Sequence, residues 1–383
     1  MPCFSLIRIS PPRLARDRMS APMRLILAGG GTGGHLTPGL AVATELRQRE
    51  PDARIVFVGS DRPIDQRLLA GHERRVMTLL PLRSAWRSPA RFAWAWWQAH
   101  RQARALLAEV RPHVVCGLGG LASIPLVRAA HQAGVPTLLL EQNVIPGRAN
   151  RWMARSAHRV CVSFRETIDL LPHPDRCRLT GNPVRPPFAS LASAELRPVT
   201  NLSTVLILGG SQGAQPLNDA LLAQLPQSSA VWKDFHWVHQ TGETGTDELR
   251  TAYQRAGLSC EVAPFYPDLE RRIPQAAVVV SRAGATTLAE LACAGVATVL
   301  VPYPQAADDH QRANARAYSA HRGAVVVEQE GAEPFPLRLA NTLTRLLAEP
   351  VARQELAGHL RSLAHPDAAA RVVDELFLAA GRG

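Results

Sequence analysis

The feature that most constrains this chain is a unit that occurs twice: an apolar strand, a glycine turn, then a helix. Arg24-Leu-Ile-Leu-Ala28 runs into Gly29-Gly-Gly-Thr-Gly-Gly34 and a helical stretch from Pro38 to about Arg49. Val205-Leu-Ile-Leu208 runs into Gly209-Gly-Ser-Gln-Gly213 and a helix opening at Pro216. Further strand-like runs lie at 54–58, 114–116, 135–140 and 158–162 after the first unit, and at 236–239, 261–263, 277–280, 297–301 and 324–327 after the second. Short unbroken apolar strands alternating with helices predict an α/β fold with parallel sheets covered on both faces. With 383 residues, 46% of them hydrophobic, the chain can bury two such cores. The Pro-rich Gly181-Asn-Pro-Val-Arg-Pro-Pro187 reads as the hinge. The expected organisation is a basic extension (1–22), a first Rossmann-like domain (23–184), a second (185–355) and C-terminal helices (356–383), the last of which, 368–378, crosses back to the first domain. Two doubly wound sheets with their glycine turns at the carboxyl ends of strands would face each other across a central cleft.

The first turn fits G-x-G-x-x-G through Gly29, Gly31 and Gly34. Glycines permit positive φ, and a helix N-terminus offers N–H groups to an anion. That pattern alone is weak evidence for a dinucleotide, even with Asp61 after the next strand as a ribose-binding acid. It is not a phosphate-binding P-loop, because His35 stands where the lysine should be. His35 at a helix start suits acid–base work, and a hydrogen-bonded structural histidine is the plain alternative.

The second half carries the sharper signals. Ser281-Arg-Ala-Gly-Ala-Thr-Thr-Leu-Ala-Glu290 places a turn before a helix, with Thr286 and Glu290 four apart on one face. A helix N-terminus can hold a diphosphate while a carboxylate one turn in accepts hydrogen bonds from ribose hydroxyls. Asp308-Asp-His-Gln311 follows the next strand. Together with Gly29–His35, Glu141-Gln-Asn-Val-Ile-Pro-Gly147 and Gly181-Asn-Pro-Val-Arg185, these segments resemble the MurG family, which adds N-acetylglucosamine to lipid I in peptidoglycan synthesis.

The resemblance runs from about Met23 to the C-terminus and implies a GT-B fold with UDP-GlcNAc mostly on the C-terminal domain. It implies that Thr32, Gly33 and Gly34 close over the donor, and that Asn143 and Arg185 reach it. Ser211 would contact the diphosphate, and Ala285, Thr286, Thr287 and Glu290 would hold phosphate and ribose. Tyr266 falls where the family reads the uracil edge, and Gln311, helped by His310, would hold sugar hydroxyls. His35 becomes the candidate base for an inverting displacement by the acceptor 4-hydroxyl, with no cofactor and no metal. The sequence departs from the family at Leu121, Ile124-Pro125, Leu140 and Ala283, and Pro63-Ile64-Asp65 replaces a Gly-x-Glu. Most of these lie on the acceptor side. A UDP-sugar epimerase of the same fold and an inactive nucleotide-sugar-binding homologue are the alternatives. Asn182 reads as a turn former, and Arg282 either as a ligand contact or as the partner of a carboxylate.

The net charge of +11 is concentrated. Residues 1–22 carry +3 and residues 74–108, which lack any acid, carry +7, so the rest is nearly neutral. The first segment reads as a transit peptide or as a start placed too early, Met19 and Met23 both standing just before the first strand. The second holds Arg83, Arg87 and Arg91 with Trp86, Phe92, Trp94, Trp96 and Trp97. Indoles and arginines together suit an anionic membrane surface, and the composition also suits nucleic acid. Trp94 and Trp97, three apart, could instead be core. The lipid-linked acceptor favours a peripheral protein at the cytoplasmic face of the bacterial inner membrane, without a nucleic-acid partner. Six cysteines without a C-x-x-C spacing make neither a disulfide framework nor a zinc site, and no apolar run reaches the length of a membrane span.

Overall fold

The computed structural model describes residues 21–31, 33–77, 88–196, 198, 200, 202–210 and 214–382. The first sheet contains β1 (Arg24–Gly29), β2 (Arg54–Gly59), β3 (Arg74–Val76), β4 (Val114–Gly119), β5 (Thr137–Glu141), β6 (Arg159–Val162) and β7 (Cys177–Leu179). The second contains β8 (Thr204–Leu208), β9 (His236–Gln240), β10 (Cys260–Ala263), β11 (Ala276–Ser281), β12 (Thr298–Leu300) and β13 (Val325–Val326). Strand order is β3-β2-β1-β4-β5-β6-β7 in one and β10-β9-β8-β11-β12-β13 in the other, with every pairing parallel. Both sheets reverse direction of growth beside their first strand, so each has its switch point at the glycine turn. This is the two-domain α/β architecture that the repeated unit implies.

Each sheet is buried on both faces. In the first domain Ile26, Val56, Val115 and Leu139 pack against the helix Pro89–Val110 and its neighbours. Leu25, Leu27, Phe57 and Leu138 form the other layer, with Leu36, Val42 and Leu46 of the helix Gly33–Arg49. Val372, Val373 and Leu376 of the final helix, Ala368–Ala379, belong to that same layer, although they lie at the other end of the chain. Arg382 pairs with Glu50 at 3.1 Å and Arg49 with Asp374, pinning the returning segment at its edge.

Two expectations need correction, and one alternative drops out. The first helix does not wait for Pro38: it begins at Gly33 and carries Pro38 inside it. A proline near a helix start forfeits one backbone bond, that to the carbonyl four residues back, and the helix survives. Two edge strands, β3 and β7, have no counterpart in the sequence reading, because Arg-Arg-Val and Cys-Arg-Leu lack an apolar run. The alternative that Trp94 and Trp97 are core drops out, because they are 60% and 55% exposed.

Candidate functional site

Pro38 has a consequence at the cleft. Lacking an N–H, it leaves the carbonyl of Gly34 without its helical donor. That carbonyl accepts a hydrogen bond from Thr286 Oγ of the second domain, at 3.2 Å. Thr286 stands in the first turn of the helix Ala285–Ala294, so the N-termini of two helices, one from each domain, meet beside His35.

His35 lies in the first turn of its helix, half-buried, with its ring against the turn that follows β4. Gly119 (φ +102°) and Gly120 (φ +78°) form that turn. A Cβ on Gly119 would stand 3.2 Å from His35 Nε2, and one on Gly120 would stand 3.5 Å from Nδ1 and 3.3 Å from the Gly30 carbonyl. The imidazole hydrogen-bonds that carbonyl through one ring nitrogen, which leaves the other nitrogen as the basic one in the neutral ring. Burial pushes the His35 pKa down, opposed by the Gly30 carbonyl and by Asp65, while His310 from the second domain adds to the depression. The balance favours the neutral form of the ring.

The carboxylate of Asp65 is completely buried and was not singled out as a site residue. Its two oxygens accept from the Gly31 N–H at 2.9 and 3.0 Å, and one accepts from the Ser60 N–H and hydroxyl at 2.8 and 2.7 Å. Arg62 donates to the Gly31 carbonyl at 3.0 Å. Asp61, by contrast, is exposed, and only its backbone carbonyl is used, by Gln66.

Between the domains, Asn314 is fully buried on the helix His310–Ala320. It accepts from the Val144 N–H (2.9 Å) and donates to Asn143 Oδ1 (3.0 Å) and to the Ala283 carbonyl (3.2 Å). Asn143 is held from below by Glu141, which also accepts from Gly147 N–H and Asn150 Nδ2. Burial raises the Glu141 pKa and those hydrogen bonds oppose it. Arg148 and Asp308 close the same side at 2.7 Å. Asp308 and Asp309 both have positive φ, the turn that brings His310 and Gln311 to the head of their helix. Gln311 accepts from the Tyr303 N–H at 3.0 Å.

Glu290 lies one turn into the helix Ala285–Ala294, 8% exposed, 3.4 Å from the half-exposed Arg185. Burial pushes its pKa up to about 7 against the opposing charge of Arg185. Ala285 is buried, while Thr286 and Thr287 are partly open. Tyr266 is buried; its N–H donates to Gln240 Oε1 at 3.3 Å and its hydroxyl to the Glu261 carbonyl. Gln240 in turn donates to the Gly210 carbonyl at 3.0 Å. Among the described residues Arg282 pairs with no carboxylate: its guanidinium donates to the carbonyls of Val301 and Pro302 and to Gln329 Oε1. Asn182 is buried beside a small cavity, and among the described residues neither atom of its amide finds a hydrogen-bond partner. Thr32 and Ser211 lie outside the described residues.

The cleft thus gathers His35, Gly33, Gly34, Asn143, Thr286 and the Asp308–Gln311 turn, with Arg185 and Glu290 on the C-terminal side. Asp65, Asn314 and Gln240 were missed, since a polar residue shows no periodicity that names its distant partner.

The profile of the glycosyltransferase family 28 N-terminal domain matches residues 25–162, and that of the C-terminal domain matches residues 204–372. A Geotalea daltonii protein named UDP-N-acetylglucosamine--N-acetylmuramyl-(pentapeptide) pyrophosphoryl-undecaprenol N-acetylglucosamine transferase is 39% identical over 359 residues, 92% of this chain and 97% of that one. A Geobacter sulfurreducens protein of the same name is 36% identical over 92% of this chain and 98% of its own. Among solved structures, Acinetobacter baumannii MurG superposes with a TM-score of 0.75 at 28% identity, covering 93% of this chain and 99% of that one. The UDP-GlcNAc 2-epimerase of Neisseria meningitidis shares the fold, with a TM-score of 0.64 at 13% identity over 93% and 100% of the two chains. Two matched domains, and close to two-fifths identity over nine-tenths of its length, show that the chain belongs to the MurG family of glycosyltransferases.

Proposed function

We propose that this protein transfers N-acetylglucosamine from UDP-GlcNAc to the N-acetylmuramoyl 4-hydroxyl of undecaprenyl-diphosphate-linked MurNAc-pentapeptide, giving lipid II. The observation that carries the reading is the Thr286–Gly34 hydrogen bond, which sets the head of the donor helix one residue from His35. A diphosphate held at the head of the helix Ala285–Ala294 gains from its unsatisfied N–H groups and the positive end of its dipole. Glu290 accepts the ribose hydroxyls, Arg185 reaches the diphosphate, and Asn143 and Gln311 orient the sugar. The uracil edge is read by the backbone around Tyr266, and Thr32 and Ser211 complete the donor contacts.

In the reaction the acceptor oxygen forms a bond to the anomeric carbon as the bond to the UDP oxygen breaks. The configuration inverts, UDP departs with the electron pair, and the acceptor proton passes to the His35 ring nitrogen that the Gly30 carbonyl does not engage. A neutral imidazole with its tautomer set by the Gly30 carbonyl is ready for that proton. The test is transfer of labelled sugar from UDP-GlcNAc into lipid-extractable product with and without lipid I. Release of free sugar or an epimer without acceptor would indicate the epimerase instead.

The acceptor's lipid anchor calls for a surface. On the helix Pro89–Val110, Ala99, Ala103, Leu106, Leu107 and Val110 face the core, and Trp96 packs behind them, stacked on Phe92. The opposite face presents Arg91, Trp94 and Trp97, with Arg101 over the Trp97 ring at 5.5 Å. Trp152, 42% exposed with Arg128 over its ring, adds a third indole that the sequence reading did not include. Arg83, Trp86 and Arg87 lie outside the described residues. Among the described residues no helix is long and apolar enough to cross a membrane. Exposed indoles capped by guanidinium groups favour peripheral binding to anionic lipid at the cytoplasmic face of the inner membrane over binding of nucleic acid. Flotation with anionic liposomes tests this, and binding that is absent or indifferent to salt would refute it.

A further inference from the structure

Two glycine loops occupy the same place in two sheets of the same strand order, after β1 and after β8. In each, a side chain from the neighbouring second strand or from the turn that follows it reaches into the loop. The chemistry of the two side chains is opposite. In the first domain Asp65, in the turn of helix after β2, accepts from the Gly31 N–H. In the second, Gln240 at the end of β9 donates to the Gly210 carbonyl.

We propose that Asp65 is the built-in occupant of the anion site of the first glycine loop and the positioning residue for His35, and that this occupancy keeps the nucleotide diphosphate off the first loop and on the C-terminal side of the cleft. This inference rests on the reading of His35 as base and of the C-terminal domain as the donor domain. A glycine loop binds phosphate by turning backbone N–H groups towards one point. In the first loop that point holds a carboxylate completely shielded from solvent, with a donor from Gly31 and two from Ser60. The glycines fit the carboxylate closely. A Cβ on Gly30 would lie 2.3 Å from Asp65 Oδ2, and one on Gly59 would lie 3.0 Å from it. Gly30 thus makes room for the protein's own anion. Arg62 fastens the loop from its outer side through the Gly31 carbonyl, and the next residues are those that start the helix bearing His35. The Gly30 carbonyl that orients the imidazole belongs to the same fastened turn. Among the described residues of the second loop, the Gln240 side chain donates to the Gly210 carbonyl and its backbone carbonyl accepts from the Gly209 N–H, while its amide oxygen engages the Tyr266 N–H, tying the loop to the segment expected to read the base.

The experiment compares Asp65→Asn, Arg62→Ala, Gln240→Leu and His35→Ala, measuring kcat with lipid I, the Kd for UDP-GlcNAc, and the pH profile of kcat/KM. Asp65→Asn removes the negative charge and, with its oxygen left to the Ser60 donors, turns its NH2 against the Gly31 N–H, so kcat falls about tenfold or more while the donor Kd stays within about twofold. The acidic limb of its profile moves to lower pH, because a negative charge near the imidazole is gone; the groups facing that ring are Asp65, His310 and the Gly30 carbonyl. Gln240→Leu shows the converse, a donor Kd weaker by about fivefold. Arg62→Ala, at an exposed position, loosens the same loop without touching the buried carboxylate, and lowers kcat by a few-fold if Asp65→Asn does not fold. A donor Kd weakened in Asp65→Asn as much as in Gln240→Leu would overturn the division between the loops. Unchanged kcat and pH profile in Asp65→Asn, or unchanged kcat in Arg62→Ala, would overturn the positioning role. Loss of turnover in His35→Ala alone sinks only this inference, whereas full turnover in His35→Ala sinks the reading beneath it.

Discussion

Replacing Glu290 by Gln separates what the donor site costs the fold from what it does for binding. In the folded protein burial holds this carboxyl at about 7 instead of its ordinary 4.5. At about 1.4 kcal/mol per pH unit, ionising it in place costs about 3 kcal/mol once the pH is well above 7. The sign follows from the direction. The folded state binds the proton more tightly than the unfolded chain, so the contribution is fully present below about 4.5 and is lost as pH rises through about 7. Glutamine carries no such proton, and Arg185, half-exposed, is resolvated when its partner loses charge. The stability gap between the variant and the natural protein should therefore grow from near zero at about pH 4.5 to about 3 kcal/mol at about pH 8. For a domain of this size that is roughly 6–12 °C in Tm. Thermal unfolding without ligand, followed by circular dichroism across that range, measures it. In the same variant the donor loses a charged acceptor for its ribose hydroxyls, so the Kd for UDP-GlcNAc at about pH 8 should weaken about tenfold. The reasoning is refuted if the Tm gap is independent of pH, or if the variant binds donor as well as the natural chain does.

Other substitutions probe other parts of the cleft. His35→Ala should lower turnover at least about tenfold with donor affinity unmoved, read by lipid-extractable label and calorimetry. Gly119→Ala forces a side chain into positive φ with its Cβ about 3 Å from the His35 ring, and should depress kcat more than it depresses Tm. Asn314→Leu strands the Val144 N–H and the Asn143 side chain, costing about 1–3 kcal/mol in denaturant unfolding. Trp94→Ser combined with Trp97→Ser should abolish most flotation with anionic vesicles while leaving the Tm within about 2 °C, since both side chains are solvated in the folded protein.

Much of the architecture is legible in the sequence because central parallel strands must be apolar on both faces. Runs such as Val205–Leu208 announce themselves for that reason. The edges are different: β3 and β7 each have one open side and tolerate arginine, so nothing in Arg-Arg-Val or Cys-Arg-Leu distinguishes them from loop. The start of the first helix is hidden too, because Pro38 looks like a beginning and is an interruption.

By itself the sequence determined the two glycine-turn units and the family, since each rests on residues a few positions apart whose spacing sets local backbone geometry. Only the tertiary structure decided which side chains serve those turns. Asp65 reaches Gly31 across 34 residues, Asn314 reaches Asn143 across 171, and Thr286 reaches Gly34 across 252. Such pairings leave no periodic trace, because a buried polar group needs only one partner in space and the chain can supply it from anywhere.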